Sequence, residues 1–442
     1  MIPNQWYPVA RSRDVKQNKP KGAMRLGEEV VMWRDARGNA VVQEARCPHK
    51  GANLGAGRIN QNALECPYHG FRFGAGGDCE AVPCLGSEAR IPKGLRIRNY
   101  PVREEHDMVW MWWGEERESY PEIDIPPEVT RWKGVHVTGS WQQPVHYTRY
   151  IESMLEFYHA PFVHRGSWFN YLDYMFLYGT LRKFGMDGRA RYLAACKVVD
   201  HELEVDGTTL RSSFNLTRED DPERGEPYKV VFAFPGMVHV MNRKFDITMW
   251  LTPIDEKNTQ ILFRWYEAEK LAPFLRSRLL RGAVPGGAMM LQRWVPERQD
   301  MRVILGQEPM ASERGENKFI AVDEMNARYL SLRHKLIQHN GELPSEGDQD
   351  AAGRPQEGTA GRAPRLNGSG AVIDPAVKAA MTRSEARSAQ NGMPGMPGMP
   401  NGSARPGPAQ GSGRGPGRVV AAARAKARMA AAERAERAAA RR

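Results

Sequence analysis

Among five cysteines and eleven histidines in 442 residues, four fall into two short mixed pairs. Cys47-Pro48-His49 is followed, after sixteen residues, by Cys66-Pro67-Tyr68-His69. Each pair brings one soft thiolate and one imidazole. Each is followed by a glycine, Gly51 or Gly70, that lets backbone approach a buried inorganic group. Two loops of this kind suit a [2Fe–2S] cluster with two Cys on one iron and two His on the other. Neutral imidazoles replace two thiolate charges, so reduction is easier, at roughly −150 to +300 mV. Tetrahedral zinc also takes two Cys and two His. Zinc sites usually group Cys with Cys and His with His, whereas each motif here mixes them, which favours the cluster.

The runs Cys47 to Leu54 and Cys66 to Phe73 resemble the two Rieske loops of the Rieske non-haem iron oxygenases. Gln5 to Val9 and Val109 to Gly114 are similar to the opening and closing strands of the same domain. The resemblance implies an all-β [2Fe–2S] domain ligated by Cys47, His49, Cys66 and His69. Phe71 stands where the family often has Trp, a change expected to affect packing rather than ligation. Cys79, Cys84 and Cys196 have no ligand partner by spacing and are read as structural.

A second constellation lies at Glu152-Ser-Met-Leu-Glu156-Phe-Tyr-His159-Ala-Pro-Phe-Val-His164, which resembles the catalytic stretch of the family. On an ideal helix, five residues turn about 500°, so His159 and His164 would point about 140° apart. Pro161 is expected to break the chain between them and let both imidazoles meet on one ion. Two His need one carboxylate to complete the facial triad of non-haem Fe(II) enzymes. Asp300 is the candidate, on a helix expected between Pro296 and Gly306, and Glu297 is the alternative. Isolated His are more often core or surface groups, but the upstream Cys-His loops and the spacing favour a metal. The resemblance gives Glu156 a separate role, as an acidic bridge from His159 to His69 of a neighbouring copy and an electron path between them. Ser153 stands where related chains often have Asn. The seven other His are unassigned.

These residues need a scaffold. Val30 to Trp33 and Ala40 to Gln43 are β-prone runs around the turn Asp35 to Gly38. Glycines punctuate the following stretch, as expected of loops on a β scaffold. Tyr120 to Pro127 is a proline-marked linker. Beyond it, Tyr228 to Phe234, Ile247 to Leu251 and Gln260 to Tyr266 read as strands, and 150–160, 274–282 and 322–338 as helices. The fold class expected is α+β. An all-β Rieske domain (1–120) and a linker (121–127) precede an α+β catalytic domain on an antiparallel sheet (128–340). A low-complexity tail, mostly disordered, covers 341–442.

The formal net charge is +11, but the tail holds 16 Lys+Arg against 9 Asp+Glu and lacks Trp, Tyr and Phe. It cannot bury enough apolar surface to offset its chain entropy. The body's smaller charge gives nucleic-acid binding little support. No 18-residue apolar run or charged-then-apolar leader is present, so neither a membrane span nor a secretory signal is expected. Few cysteines point to a reducing, cytoplasmic setting.

The resemblance implies the oxygenase component of a multicomponent system, a head-to-tail homotrimer fed by a separate NAD(P)H-dependent reductase and a possible ferredoxin. Its cofactors are a [2Fe–2S] cluster and a mononuclear Fe(II), and its co-substrate is O₂. The body resembles members such as vanillate demethylase, steroid hydroxylase and pheophorbide oxygenase-like proteins. These imply hydroxylation or oxidative demethylation of an aromatic or polycyclic substrate. The aromatic residues of 168–178, with Met289, Met290 and Trp294, are candidates for the pocket wall. Two alternatives stand: an electron-transfer protein without working mononuclear iron, and an arene cis-dihydroxylating dioxygenase.

Overall fold

A computed structural model describes residues 1–88, 90–130, 136–164, 197–218, 221–242, 246–266 and 296–343. The expected pocket wall, the expected helix at 274–282, Cys196 and the tail from 344 onward lie outside the described residues.

The N-terminal part is all β. Gln5–Arg11, Met108–Trp113 and Val102–Glu105 form a three-stranded antiparallel sheet. Lys21–Arg25, Glu28–Arg34, Ala40–Glu44 and Asn99–Tyr100 form a second sheet. Arg58–Asn60, Ala63–Glu65, Arg72–Phe73 and Cys79–Ala81 form a third, and this small sheet carries the second Cys-His loop. The runs read as strands from β-branched and aromatic content are strands here, each extended by a residue or two where hairpin pairing continues.

The following part is α+β on one seven-stranded antiparallel sheet. Six strands form a meander from Lys197–Asp206 to Thr259–Trp265, and Val137–Gln143 pairs with the last of them. The chain leaves that edge strand into helix α1, Tyr147–Leu155. It later supplies α3, Pro296–Ile304, and α4, Glu324–Gln338, with a short α2, Ala160–Val163, between.

The centre of the sheet is buried on both faces, so its central strands are apolar at successive positions rather than alternate ones, whereas the edge strand Lys197–Asp206 is mostly exposed. Phe232, Met249, Ile261 and Phe263 pack in one core with Ile151 of α1 and Tyr329 of α4. Their neighbours Val231, Trp250 and Leu262 pack in another with Trp6, Trp110 and Trp112 of the N-terminal sheet. One strand thus positions the helices and also seats the N-terminal part.

Polar bonds fix that seating. Leu26 and Gly27 donate backbone N–H bonds to Pro253 and Ile254 at 2.9 and 2.8 Å, and Thr252 Oγ1 donates to Pro8 at 2.7 Å. Arg25 is 3 % exposed and donates to the carbonyls of Val9 and Met24 and to Gln260 Oε1 at 2.8, 2.7 and 2.9 Å. Burial lowers its guanidinium to about 10. Arg25→Met keeps the stem and strands two buried acceptors and one half-buried one. Stability should fall by about 2 kcal/mol or more, read as a lower urea midpoint.

Candidate metal centres

The two Cys-His loops are built alike. Cys47 N–H donates to the Ala52 carbonyl at 3.0 Å, and the Cys47 carbonyl accepts from Gly51 at 2.8 Å. Cys66 repeats both bonds, to Phe71 at 2.8 Å and from Gly70 at 3.1 Å. The reversal uses left-handed backbone at Gly51 and Gly70, with φ of +69° and +71°, which a Cβ disfavours. Both cysteines are buried, while His49 and His69 are exposed. The two imidazoles approach to 4.7 Å between centroids. Phe71 lies flat against His49, 4.8 Å away at 6°, so the departure at this position is a matter of packing. Burial pushes the Cys47 thiol up to about 11, and Cys66 beside it pushes the same way. A thiol so placed ionises readily only next to a positive centre, and the donor set fits a cluster that takes thiolates inside and imidazoles outside.

The second centre begins where α1 stops. Glu156 leaves the helix at φ −115°, ψ 69°, and a 3-10 turn Phe157–His159 leads into α2. The expected break at Pro161 is corrected here: the chain turns at Glu156. Pro161 sits in the first turn of α2, where its missing N–H costs nothing. The two imidazoles, on either side of α2, stand 5.6 Å apart between centroids.

Helix α3 supplies the carboxylate. Asp300 Oδ1 lies 3.5 Å from His159 Nε2 and 3.3 Å from His164 Nε2. One ligand atom from each residue lies within 4.8 Å of the others. Neighbouring ligands about 2.1 Å from one ion stand about 3 Å apart, so the spacing suits a shared cation. Asp300 is 6 % exposed and its Oδ1 has no hydrogen-bond partner. An orphaned buried carboxylate oxygen is costly, and a divalent cation would satisfy it. Burial works against charge on His159, but Asp300 outweighs it and raises the imidazole above its usual value. The side chain of Glu297 lies outside the described residues.

The remaining ring nitrogens are held. His159 Nδ1–H donates to the Glu156 backbone carbonyl at 2.7 Å, and His164 Nδ1–H to Gln299 Oε1 at 3.0 Å. These bonds place a proton on each Nδ1 and turn both Nε2 atoms toward Asp300. Glu156 therefore meets His159 through its backbone. Its carboxylate accepts from Tyr158 Oη at 3.1 Å and Asn326 Nδ2 at 3.3 Å, and Tyr158 also bonds Asp323. Burial pushes Glu156 upward, against the pull of His159. Arg149 clamps the frame. It pairs with Glu152 at 2.9 Å and donates twice to the Pro309 carbonyl, tying α1 to the segment after α3.

Residues 5–101 match the family described as the Rieske [2Fe-2S] domain. The chain carries a Rieske domain. Relatives of the Rieske chain include a putative toluene-4-sulfonate monooxygenase system iron-sulfur subunit of Comamonas testosteroni. It is 32% identical over 171 residues, which is 37% of this chain and 46% of that one. Aminopyrrolnitrin oxygenase PrnD of Pseudomonas fluorescens is 31% identical, over 36% of this chain and 45% of its own. The chain thus spans under half the length of these curated relatives. In fold it is similar to dicamba monooxygenase bound to dicamba, with a TM-score of 0.55 and 18% identity over 77% of this chain and 98% of that one.

Beside the Rieske domain, three residues escaped the sequence reading. Gln299, Tyr158 and Asn326 carry no ligand signature; α3 brings Gln299 to His164, and the turn at Glu156 and α4 bring Tyr158 and Asn326 to the Glu156 carboxylate. The structural role expected of Cys84 is corrected. It is exposed, on the turn Pro83–Leu85, whereas Cys79 is half-buried. Among the described residues, no helix is long and apolar enough to cross a membrane.

Proposed function

We propose that this chain is the oxygenase component of a Rieske non-haem iron system that hydroxylates or oxidatively demethylates an aromatic or polycyclic substrate. The observation that carries the reading is the orphaned Asp300 Oδ1 facing two imidazole nitrogens in a chain with a Rieske domain. Cys47, His49, Cys66 and His69 would hold a cluster that supplies one-electron transfer, and His159, His164 and Asp300 would hold an Fe(II) that supplies O₂ activation. The protein's part is to keep the thiolates dry, expose the imidazole edge to a redox partner, and leave positions beside the three-residue face for O₂ and substrate. The names of the relatives support oxygen insertion. A homotrimer, a reductase with or without a ferredoxin, a cytoplasmic setting and the division at 1–120, 121–127 and 128–340 complete the proposal.

Iron and acid-labile sulfide per chain, with an EPR spectrum of the reduced protein, test the reading. Three irons and two sulfides with a Rieske signal support it. Two irons and two sulfides that persist after Fe(II) reconstitution favour the electron-carrier alternative, and zinc without sulfide overturns both.

Glu156 is proposed as the bridge to His69 of a neighbouring copy. Its half-buried carboxylate, held by Tyr158 and Asn326 beside His159, supports that role. Glu156→Gln should keep both irons yet slow electron transfer between them by about 10- to 100-fold. Stopped-flow reoxidation of the reduced cluster reads the rate, and a wild-type rate removes the bridge.

A further inference from the structure

We infer that Gln299 is a positioning residue that makes His164 an iron ligand, an inference that rests on the iron-site reading of His159, His164 and Asp300. The two imidazoles are prepared in different ways. His159 gets its Nδ1 acceptor locally, from a backbone carbonyl three residues back, at 2.7 Å. That bond comes with the turn after Glu156 and needs no side chain. His164 gets its acceptor from a side chain 135 residues away, the Gln299 amide oxygen at 3.0 Å.

A neutral imidazole carries one proton and one lone pair on its two nitrogens. An acceptor at Nδ1 puts the proton there and the lone pair at Nε2, the atom that faces Asp300 at 3.3 Å. A donor at Nδ1 would do the reverse and remove His164 from the ligand set. Gln299 and Asp300 are successive residues of α3, about 100° apart around the helix. One step of α3 therefore delivers both the charged ligand and the group that sets the tautomer of the neutral one. His159 is prepared by its own loop, whereas His164 becomes a ligand only when α3 is docked in register. An amide is also the group that accepts here without adding a second negative charge beside Asp300.

The test uses full-length protein with its cluster intact and reads Fe(II) affinity by chelator competition, with the reduced-cluster EPR signal as the folding control. Co(II) absorption reads whether both imidazoles ligate. Gln299→Leu should weaken Fe(II) binding about 10- to 100-fold and lower the Co(II) ligand-field intensity. Gln299→Glu restores the acceptor and should recover affinity. If wild type itself takes up no further iron, the iron-site reading fails. If wild type binds and Gln299→Leu binds equally well, this inference alone is overturned. It is also overturned if Gln299→Glu stays as weak as Gln299→Leu, because the loss would then be one of shape. Should Gln299→Leu lose the cluster signal, Gln299→Met is read in its place by the same criteria.

Discussion

Asp300→Ala should abolish substrate oxidation and leave the Rieske EPR signal at full strength. The carboxylate is the one negative charge among the three groups facing each other, and its Oδ1 stands 3.5 and 3.3 Å from the two imidazole nitrogens. Without it, two neutral imidazoles must hold a divalent ion with no charge to offset its desolvation. Turnover should fall about a thousandfold or more, roughly 4 kcal/mol of barrier. The apo protein distinguishes this loss from misfolding. Asp300 Oδ1 has no well-formed hydrogen bond and pairs loosely with the two imidazoles, at 3.5 and 3.3 Å, so without iron its removal exchanges the cost of a buried carboxylate for the loss of that attraction. The two effects oppose each other, so thermal stability without iron should stay close to that of the wild type. A fall of several degrees would make Asp300 a structural residue and remove it from the site. Iron analysis completes the check, with two irons and two sulfides per chain retained.

What the sequence made legible depends on range. The four Rieske ligands are local, two loops in which a Cys, a His and a left-handed Gly follow within five residues, and the structure builds each loop by its own backbone bonds. Strand runs such as Val30 to Trp33 were readable because apolar β-branched residues filled them. Their ends were not, since hairpin pairing carries Glu28–Arg34 past the apolar stretch. In the His159 stretch the sequence points to Pro161, the residue type that usually breaks helices. The fold instead bends at Glu156, because a proline at the start of a new turn is unstrained. Asp300 and Glu297 lie three apart on one helix, so spacing leaves both on the same side, and the fold brings Asp300 to the two imidazoles. Gln299 was out of reach. Nothing marks a glutamine as a tautomer-setting group until the fold carries it across 135 residues to His164.

Cys66→Ser should produce the mirror image of Asp300→Ala. Cys66 is 3 % exposed, in a core with Cys47, Leu54, Leu64 and Phe71. A serine hydroxyl there does not ionise to replace a thiolate, so colour, acid-labile sulfide and the Rieske signal should all disappear. The fold also loses the tie between the two loops, which their separate backbone bonds do not provide, and stability should fall. Cys84→Ser, at an exposed position, is the control that should change neither. Mononuclear iron should still bind the Cys66→Ser protein, yet no electron can reach it from a reductase. The two defects are then complementary. In a head-to-tail ring, the cluster of one copy serves the iron of the next, so each junction needs an intact cluster on one side and an intact iron site on the other. Co-assembling Cys66→Ser with Asp300→Ala in equal amounts makes about a quarter of the junctions complete. Turnover should return to roughly that fraction of wild type, although neither parent turns over. If electrons instead pass within one chain, every chain in the mixture lacks one of its two centres, and the mixed protein stays as inactive as its parents.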